Sequence, residues 1–303
     1  MAFAPIIIFA FNRLDSLKRT VRSLQANKEF ELSDLFIFVD GPRLNKIGEK
    51  EKVEDVRNFV KSITGAKSIN YFFHDSNLGL ATSIITGTTR IIEEYNRVIV
   101  LEDDLYVSQD FLRYMNQMLD LFENDERVFQ VSGFSCQVTR PKNYESDVYL
   151  SGRAHSWSWG TWKNRWDTVD WDVKDFAILS ADKKKQKAFC KYGSDLYGML
   201  AGYMSGKNNS CYIRFNYAMH KQSRFSVCPL RSLVRNDGFG DDATNCNTYN
   251  RYKISFEVSH EGPFSVSPDI LPNDNLMKEA VKYWSIPYRI YGKLMTKWVS
   301  TFK

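Results

Sequence analysis

From Pro5 to Phe134 the chain alternates short apolar runs with amphipathic stretches, and this alternation restricts the possible folds more than any other feature. Pro5–Phe11, Leu35–Val39, Ile69–Phe73, Arg97–Leu101 and Val128–Phe134 read as strands, the first a continuous apolar run of the kind buried on both faces. Between them, residues 14–26, 49–63, 80–95 and 109–122 carry apolar residues at helical spacing, for example Leu14, Leu17, Val21 and Leu24. Ser108 is placed to cap the last of these helices. Strand and helix in strict alternation predict an α/β fold with a doubly wound, mostly parallel central sheet flanked by helices.

Composition narrows the class further. The chain has 303 residues, 43% hydrophobic and 25% charged, enough for a full α/β core. A net charge of +5 is compatible with a phosphate-bearing or membrane-surface partner but too weak to argue for nucleic acid. Cys136, Cys190, Cys211, Cys228 and Cys246 are odd in number, without metal-site spacing, and read as reduced thiols of a cytoplasmic protein. The opening MAFAPIIIFAFNR lacks the basic start of a signal peptide, and no run reaches the roughly 18–20 apolar residues of a spanning helix.

The unusual polar residues fall where strands end. Asn12-Arg13 follows the first strand, Asp40 the second, His74 to Gly79 the third and Glu102-Asp103-Asp104 the fourth. In a parallel sheet these ends share one edge, the edge at which open α/β sheets bind ligands. Neither GxGxxG nor GxxxxGK[ST] occurs in this region, which leaves a nucleotide site built from single side chains and a cation. The three adjacent acids suit a hard divalent ion such as Mn²⁺ or Mg²⁺, able to bridge one carboxylate to a diphosphate. On an extended chain Glu102 and Asp104 would face one side and Asp103 the other. A solvated turn preceding a helix is the competing reading of the cluster.

AFNR (10–13), VDGP (39–42), HDSNLGLATSI (74–84) and VIVLEDDLYVSQDFLRYM (98–115) together resemble GT-A glycosyltransferases, namely bacterial family-2-like sugar transferases and the N-acetylglucosaminyltransferase I family. The resemblance covers residues 4–135, with a looser likeness in the Trp-rich segment and in SLVRNDGFGDDATNC (232–246). It implies a GT-A fold and an inverting, metal-dependent transfer from a nucleotide-diphosphate sugar, UDP-sugar favoured, to a glycan or lipid-linked acceptor in surface polysaccharide synthesis. Carried over by residue, it implies that Phe11, Asn12, Arg13, Asp40, Asn77, Gly79, Glu102 and Asp103 contact the donor nucleotide or its sugar, and that Asp104 holds the metal. Two other readings stay open: a sugar-phosphate nucleotidyltransferase, against which the glycine-free AFNRLDS counts, and a non-catalytic nucleotide-sugar-binding protein.

The second half departs from the family pattern. Asn208-Asn209-Ser210-Cys211-Tyr212 stands where relatives offer an acid beside a Trp, and Asn245 where bacterial relatives often carry a His. Asp195 is the best remaining candidate for the catalytic base, with Asp241 and Asp242 as alternatives. SCYIRF (210–215) reads as strand-like, SRFSVCP as a short strand and residues 192–204 as a helix. Of Trp157, Trp159, Trp162 and Trp166, one or two are expected at the site and the rest in the core. His155 beside them is as consistent with a structural role as with a functional one. The expected layout is a nucleotide-sugar half (1–135), an acceptor half of the same domain (136–275) and a basic amphipathic tail (276–303). In that tail Arg289, Lys293 and Lys297 recur every four residues, as in a helix at the inner membrane face or one docked on the domain.

Overall fold

In the computed structural model, which describes residues 3–239, 249–267 and 269–301, the first apolar run forms β1 (Ile6–Ala10), buried throughout. Alternate side chains of a strand point to opposite faces, and the two faces of β1 enter different cores. Ile6, Ile8 and Ala10 join one, while Ile7 and Phe9 join the other. In β2 (Asp34–Val39), Leu35, Ile37 and Val39 separate in the same way from Phe36 and Phe38. β3 (Ser68–Phe73) is an edge strand, half exposed, and β4 (Arg97–Glu102) divides Ile99 and Leu101 from Val98 and Val100. Among the helices, α1 (Leu14–Gln25), α2 (Glu49–Lys61), α3 (Leu80–Tyr95) and α4 (Phe111–Leu121) follow the expected positions. α1, α2 and α4 cover the first face, through Leu17, Val53 and Met115 among others, and α3 covers the second through Ile84, Ile91 and Ile92.

The α/β architecture is as expected, with an addition from the Trp-rich segment. The remaining strands are β5 (Leu105–Val107), β6 (Val128–Ser132), β7 (Val148–Ser151), β8 (Trp159–Trp162), β9 (Phe225–Pro229) and β10 (Val234–Asn236). The eight-stranded sheet runs β3-β2-β1-β4-β8-β6-β9-β7. β3, β2, β1 and β4 are parallel, β8 is antiparallel between β4 and β6, and β6 pairs parallel with β9. The fifth strand of the sequence reading therefore does not neighbour the fourth, because Trp159–Trp162 lies between them. Trp159, Trp162 and Trp166 are buried, and Trp162 Nε1–H donates to the Leu119 carbonyl at 3.1 Å. Burying an indole requires such a partner.

Two local expectations are corrected. Residues 210–215 are not a strand but the start of a helix, Cys211–Lys221, whose Ser210 hydroxyl accepts from Ile213 N–H at 3.3 Å. Cys211, Phe215 and Met219 are buried at a spacing of four, a period that six residues are too short to reveal. Ser108 does not cap α4, which starts at Phe111. Asn27 supplies the cap from 85 residues away, its Oδ1 accepting from Leu112 N–H at 2.9 Å while its Nδ2 donates to the Ser108 carbonyl. A distant capping residue leaves no local pattern to read.

Candidate active site

The C-terminal ends of β1, β2 and β4 and the turn after β3 converge as expected. At their centre is Arg13, just after β1, whose Nη2 donates to Asp103 Oδ1 and, at 2.9 Å, to Asp104 Oδ2. Asp103 Oδ2 also accepts from Phe11 N–H at 3.3 Å, and its carbonyl accepts from the Thr20 hydroxyl at 2.9 Å. β4 ends at Glu102 and the chain turns at Asp103-Asp104 before β5 begins. The turn overrides the alternation expected of an extended chain. Glu102 and Asp103 line one cavity together, while Asp104 faces Asp237 and the side of α1.

The acids share too little positive charge. Burial is the largest influence on Glu102 and, with the charges of Asp104 and Asp103, raises its carboxyl to about 8. Burial also raises Asp103 to about 6, although Arg13 opposes it. Burial works against the Arg13 charge, but the two aspartates outweigh it and hold the guanidinium above its ordinary range. Two aspartate carboxylates thus share one guanidinium, with Glu102 buried beside them.

Asp40, at the end of β2, serves as an organiser of the neighbouring loop. Its Oδ1 accepts from Leu78 N–H at 2.8 Å and Gly41 N–H at 2.9 Å, and its Oδ2 from Gly79 N–H at 2.9 Å. Asn77 Nδ2 donates to the Gly41 carbonyl at 3.1 Å, closing the same loop. Gly79 has φ +80°, in the region L side chains avoid, and a Cβ on Gly41 would meet the backbone of Ser76 at 2.5 Å. Asp40→Ala is expected to weaken nucleotide binding by about 1.5–3 kcal/mol, because the loop N–H groups lose a charged acceptor. Calorimetry on a folded variant checks this, and an unchanged dissociation constant removes Asp40 from the site.

These residues enclose a cavity of about 240 Å³ lined by Phe11, Arg13, Asp40, Asn77, Gly79, Glu102 and Asp103 among others. Two lining groups escaped the sequence reading. Ser83 on α3 has a buried hydroxyl with no hydrogen-bond partner. Arg43 is held by Glu49, whose carboxyl lies below its usual range chiefly through the Arg43 side-chain hydrogen bond, and its guanidinium sits 5.5 Å from the Phe11 ring. Asn12 Nδ2 donates to the same Glu49 at 3.2 Å, so Asn12 acts by fixing this pair. The signal for Arg43 was its place in GPR directly after β2; Glu49, in a run of surface-helix charges, gave none.

A divalent cation fits the arrangement at one point. Asp104 Oδ1 is buried and has no hydrogen-bond partner, an oxygen ligand without an occupant from the protein. Among the described residues no group of three His, Cys, Asp or Glu side chains is arranged to hold a metal, so an ion on Asp104 would take its other oxygens from water and ligand. β10 pairs with β5 and brings Asp237 and Gly238 against Asp104; Asp237 N–H donates to the Asp104 carbonyl at 2.9 Å. Gly238 is required there, since a Cβ would overlap the Asp104 carboxylate.

A second cavity, of about 340 Å³, opens beyond this segment and is lined by Trp157, Tyr212, Phe239, Tyr252, Trp284 and Asp195 among others. Trp157 is the one member of the cluster that reaches it, edge-on to Phe134 and Tyr252. Asp195 is the only acid among the described residues lining it. Arg153 holds both its oxygens, Nη1 at 3.0 Å from Oδ1 and Nη2 at 2.9 Å from Oδ2. The Arg153 guanidinium in turn lies 4.4 Å from the Trp284 ring. His155 lies between Phe134 and Trp284 and lines the same cavity, and burial, aided by Arg153, lowers it to about 3, which keeps it neutral. Asp241, Asp242, Asn245 and Cys246 lie outside the described residues.

The model of the family described as glycosyl transferase family 2 matches residues 6–182, more than half of the chain. The chain belongs to glycosyl transferase family 2. It is accordingly a glycosyltransferase of the GT-A fold, from a family whose members use nucleotide-sugar donors. The crystal structure of HddC from Yersinia pseudotuberculosis is similar at 13% identity and a TM-score of 0.34, over 54% of this glycosyltransferase and 78% of that chain.

Proposed function

We propose that this glycosyltransferase is metal-dependent and inverting, moving a sugar from a nucleoside-diphosphate donor, UDP-sugar favoured, to a glycan or lipid-linked acceptor in surface polysaccharide assembly. The observation that carries the metal is at Asp104: it shares the Arg13 guanidinium with Asp103, and its Oδ1 is buried without a partner. A diphosphate brought beside uncompensated carboxylates is repelled unless a cation comes with it. The likeness of LEDDLYVSQDF to the N-acetylglucosaminyltransferase I family supports the same assignment.

On this reading Phe11, Asn12, Arg13, Asp40, Asn77 and Gly79 shape the nucleotide cavity, Glu102 and Asp103 reach ribose and donor sugar, and Asp104 holds Mn²⁺ or Mg²⁺. The ion, when bound, would stabilise negative charge on the departing diphosphate. The aromatic walls of the second cavity suit a sugar ring, which stacks on indole and phenol faces. Asp195 is the acid proposed to take the acceptor proton, because it is the carboxylate facing that cavity. Its pairing with Arg153 favours a second reading, in which the pair positions the acceptor and Asp195 abstracts no proton.

Calorimetry tests the metal reading. UDP or GDP should bind more tightly with Mn²⁺ or Mg²⁺ than with chelator, and Asp104→Ala should abolish the difference. Equal affinity in metal and chelator would overturn it.

A further inference from the structure

Beyond the strand-end site, the C-terminal helix Ile286–Thr301 is apolar on two faces. One face is docked: Tyr288 packs on Tyr283 with ring centroids 5.2 Å apart, and Gly292 lies against the Arg251 side chain. The opposite face carries Ile286, Ile290, Leu294 and Trp298 at a spacing of four, which stacks them along one side of the helix. They are 60%, 52%, 62% and 58% exposed. The exposed apolar row of Ile286, Ile290 and Leu294 on an otherwise folded chain marks a contact surface.

Basic residues border that row. Arg289, Lys293 and Lys297 run beside it, and the helix contains no acid. At its N-terminal end, Lys191, Lys278 and Lys282 outnumber Asp274 in the lining of a surface cavity that also includes Ser285. Arg289 Nη1 donates to Ser194 Oγ at 3.1 Å, which holds the helix to the segment that follows Lys191.

We propose that this helix lies in the interface of an anionic lipid bilayer, with Ile286, Ile290, Leu294 and Trp298 among the acyl chains and the lysines at the headgroup phosphates. Charge decides between this partner and a second copy of the chain. An antiparallel pairing of the apolar rows would set the basic rows of two copies against each other, and a parallel pairing would leave them without a counter-charge, whereas anionic headgroups complement them. The helix does not cross the bilayer: no helix among the described residues is long and apolar enough. The same helix is tied to the second cavity through Ser194, which accepts from Arg289 and donates from N–H at 3.2 Å and Oγ–H at 2.8 Å to the carbonyl of Trp284, a residue lining that cavity. Resting here on the glycosyltransferase reading, the helix would hold the acceptor cavity close to the bilayer, where a lipid-linked glycan is anchored.

Co-sedimentation of the full chain with vesicles tests the surface. Phosphatidylcholine mixed with phosphatidylglycerol should carry the protein down and phosphatidylcholine alone should not. Lys278→Gln/Lys282→Gln/Lys293→Gln should weaken partition by roughly fivefold for each charge removed. Ile290→Ser/Leu294→Ser should abolish it while melting like the parent, since both side chains are exposed. Equal sedimentation with both vesicle types, or unchanged binding of the serine variant, overturns the proposal. A concentration-dependent dimer lost in the serine variant, without vesicle binding, overturns it in favour of self-association. UDP titration without vesicles reports separately on the donor site, so failure of one reading is distinguishable from failure of the other.

Discussion

Arg13→Ala is expected to lower stability at pH 8 by about 3 kcal/mol, the lower end of the cost of stripping one partner from a buried ion pair. The lower end applies because the Arg13 side chain keeps 19% of its surface exposed. The variant leaves Asp103, fixed under the Phe11 N–H, beside Asp104 and Glu102 without the guanidinium that bonds both aspartates. Arg13→Lys should recover only part of the loss, since one ammonium cannot bridge both carboxylates as a guanidinium does. The deficit should shrink on acidification. Asp103 and Glu102 already lie above the ordinary carboxyl range, at about 6 and about 8, so the folded state binds more protons than the unfolded chain through that window. A raised carboxyl costs stability when ionised and regains it as pH falls through its folded value. Loss of Arg13 raises these groups further, and urea unfolding at pH 8 and pH 5.5 should show the gap to the parent narrowing at the lower pH. An equal gap at both pH values would mean that Arg13 contributes by packing alone.

Asp195→Asn is expected to lose about two to four orders of magnitude in turnover. The interpretation rests on what else changes. If Asp195 takes the acceptor proton, donor nucleotide still binds the variant and the acceptor KM stays near the parent's, while the maximal rate collapses across pH. If the Arg153 pair positions the acceptor, KM rises as well, and Arg153→Lys produces the same defect with Asp195 intact. Asn also leaves Arg153 without its counter-charge in a buried setting, so melting must be followed in parallel. Near-parental turnover in the folded variant would remove Asp195 from the reaction under both readings.

The donor half was legible because its information is local. Each strand of the parallel set carries its own apolar run, and each polar motif follows directly on a strand end. Once the sheet is parallel, its order brings Arg13, Asp40 and Glu102 to one edge whatever the details of packing. The partners were not legible. Nothing near Arg13 in the chain marks it for Asp103 and Asp104, some 90 residues on, and Glu49 could not be told from the other helix charges.

In the second half the same physics erased the pattern. Trp159–Trp162 pairs with β4 on one side and β6 on the other, so its strand character comes from neighbours rather than from its own alternation. Cys211–Lys221 hides its helical period in a run where buried, aromatic and charged residues mix. Asp195 stood out as an acid by its position alone, and the ion pair that constrains its chemistry spans 42 residues. For the C-terminal helix, the sequence by itself determined an amphipathic segment with basic residues every four positions. Only the tertiary structure decided which apolar face is used: Tyr288 and Gly292 meet the domain, and Ile286, Ile290 and Leu294 remain outside. Periodicity specifies that a face is apolar, but what that face packs against depends on surfaces assembled from distant parts of the chain.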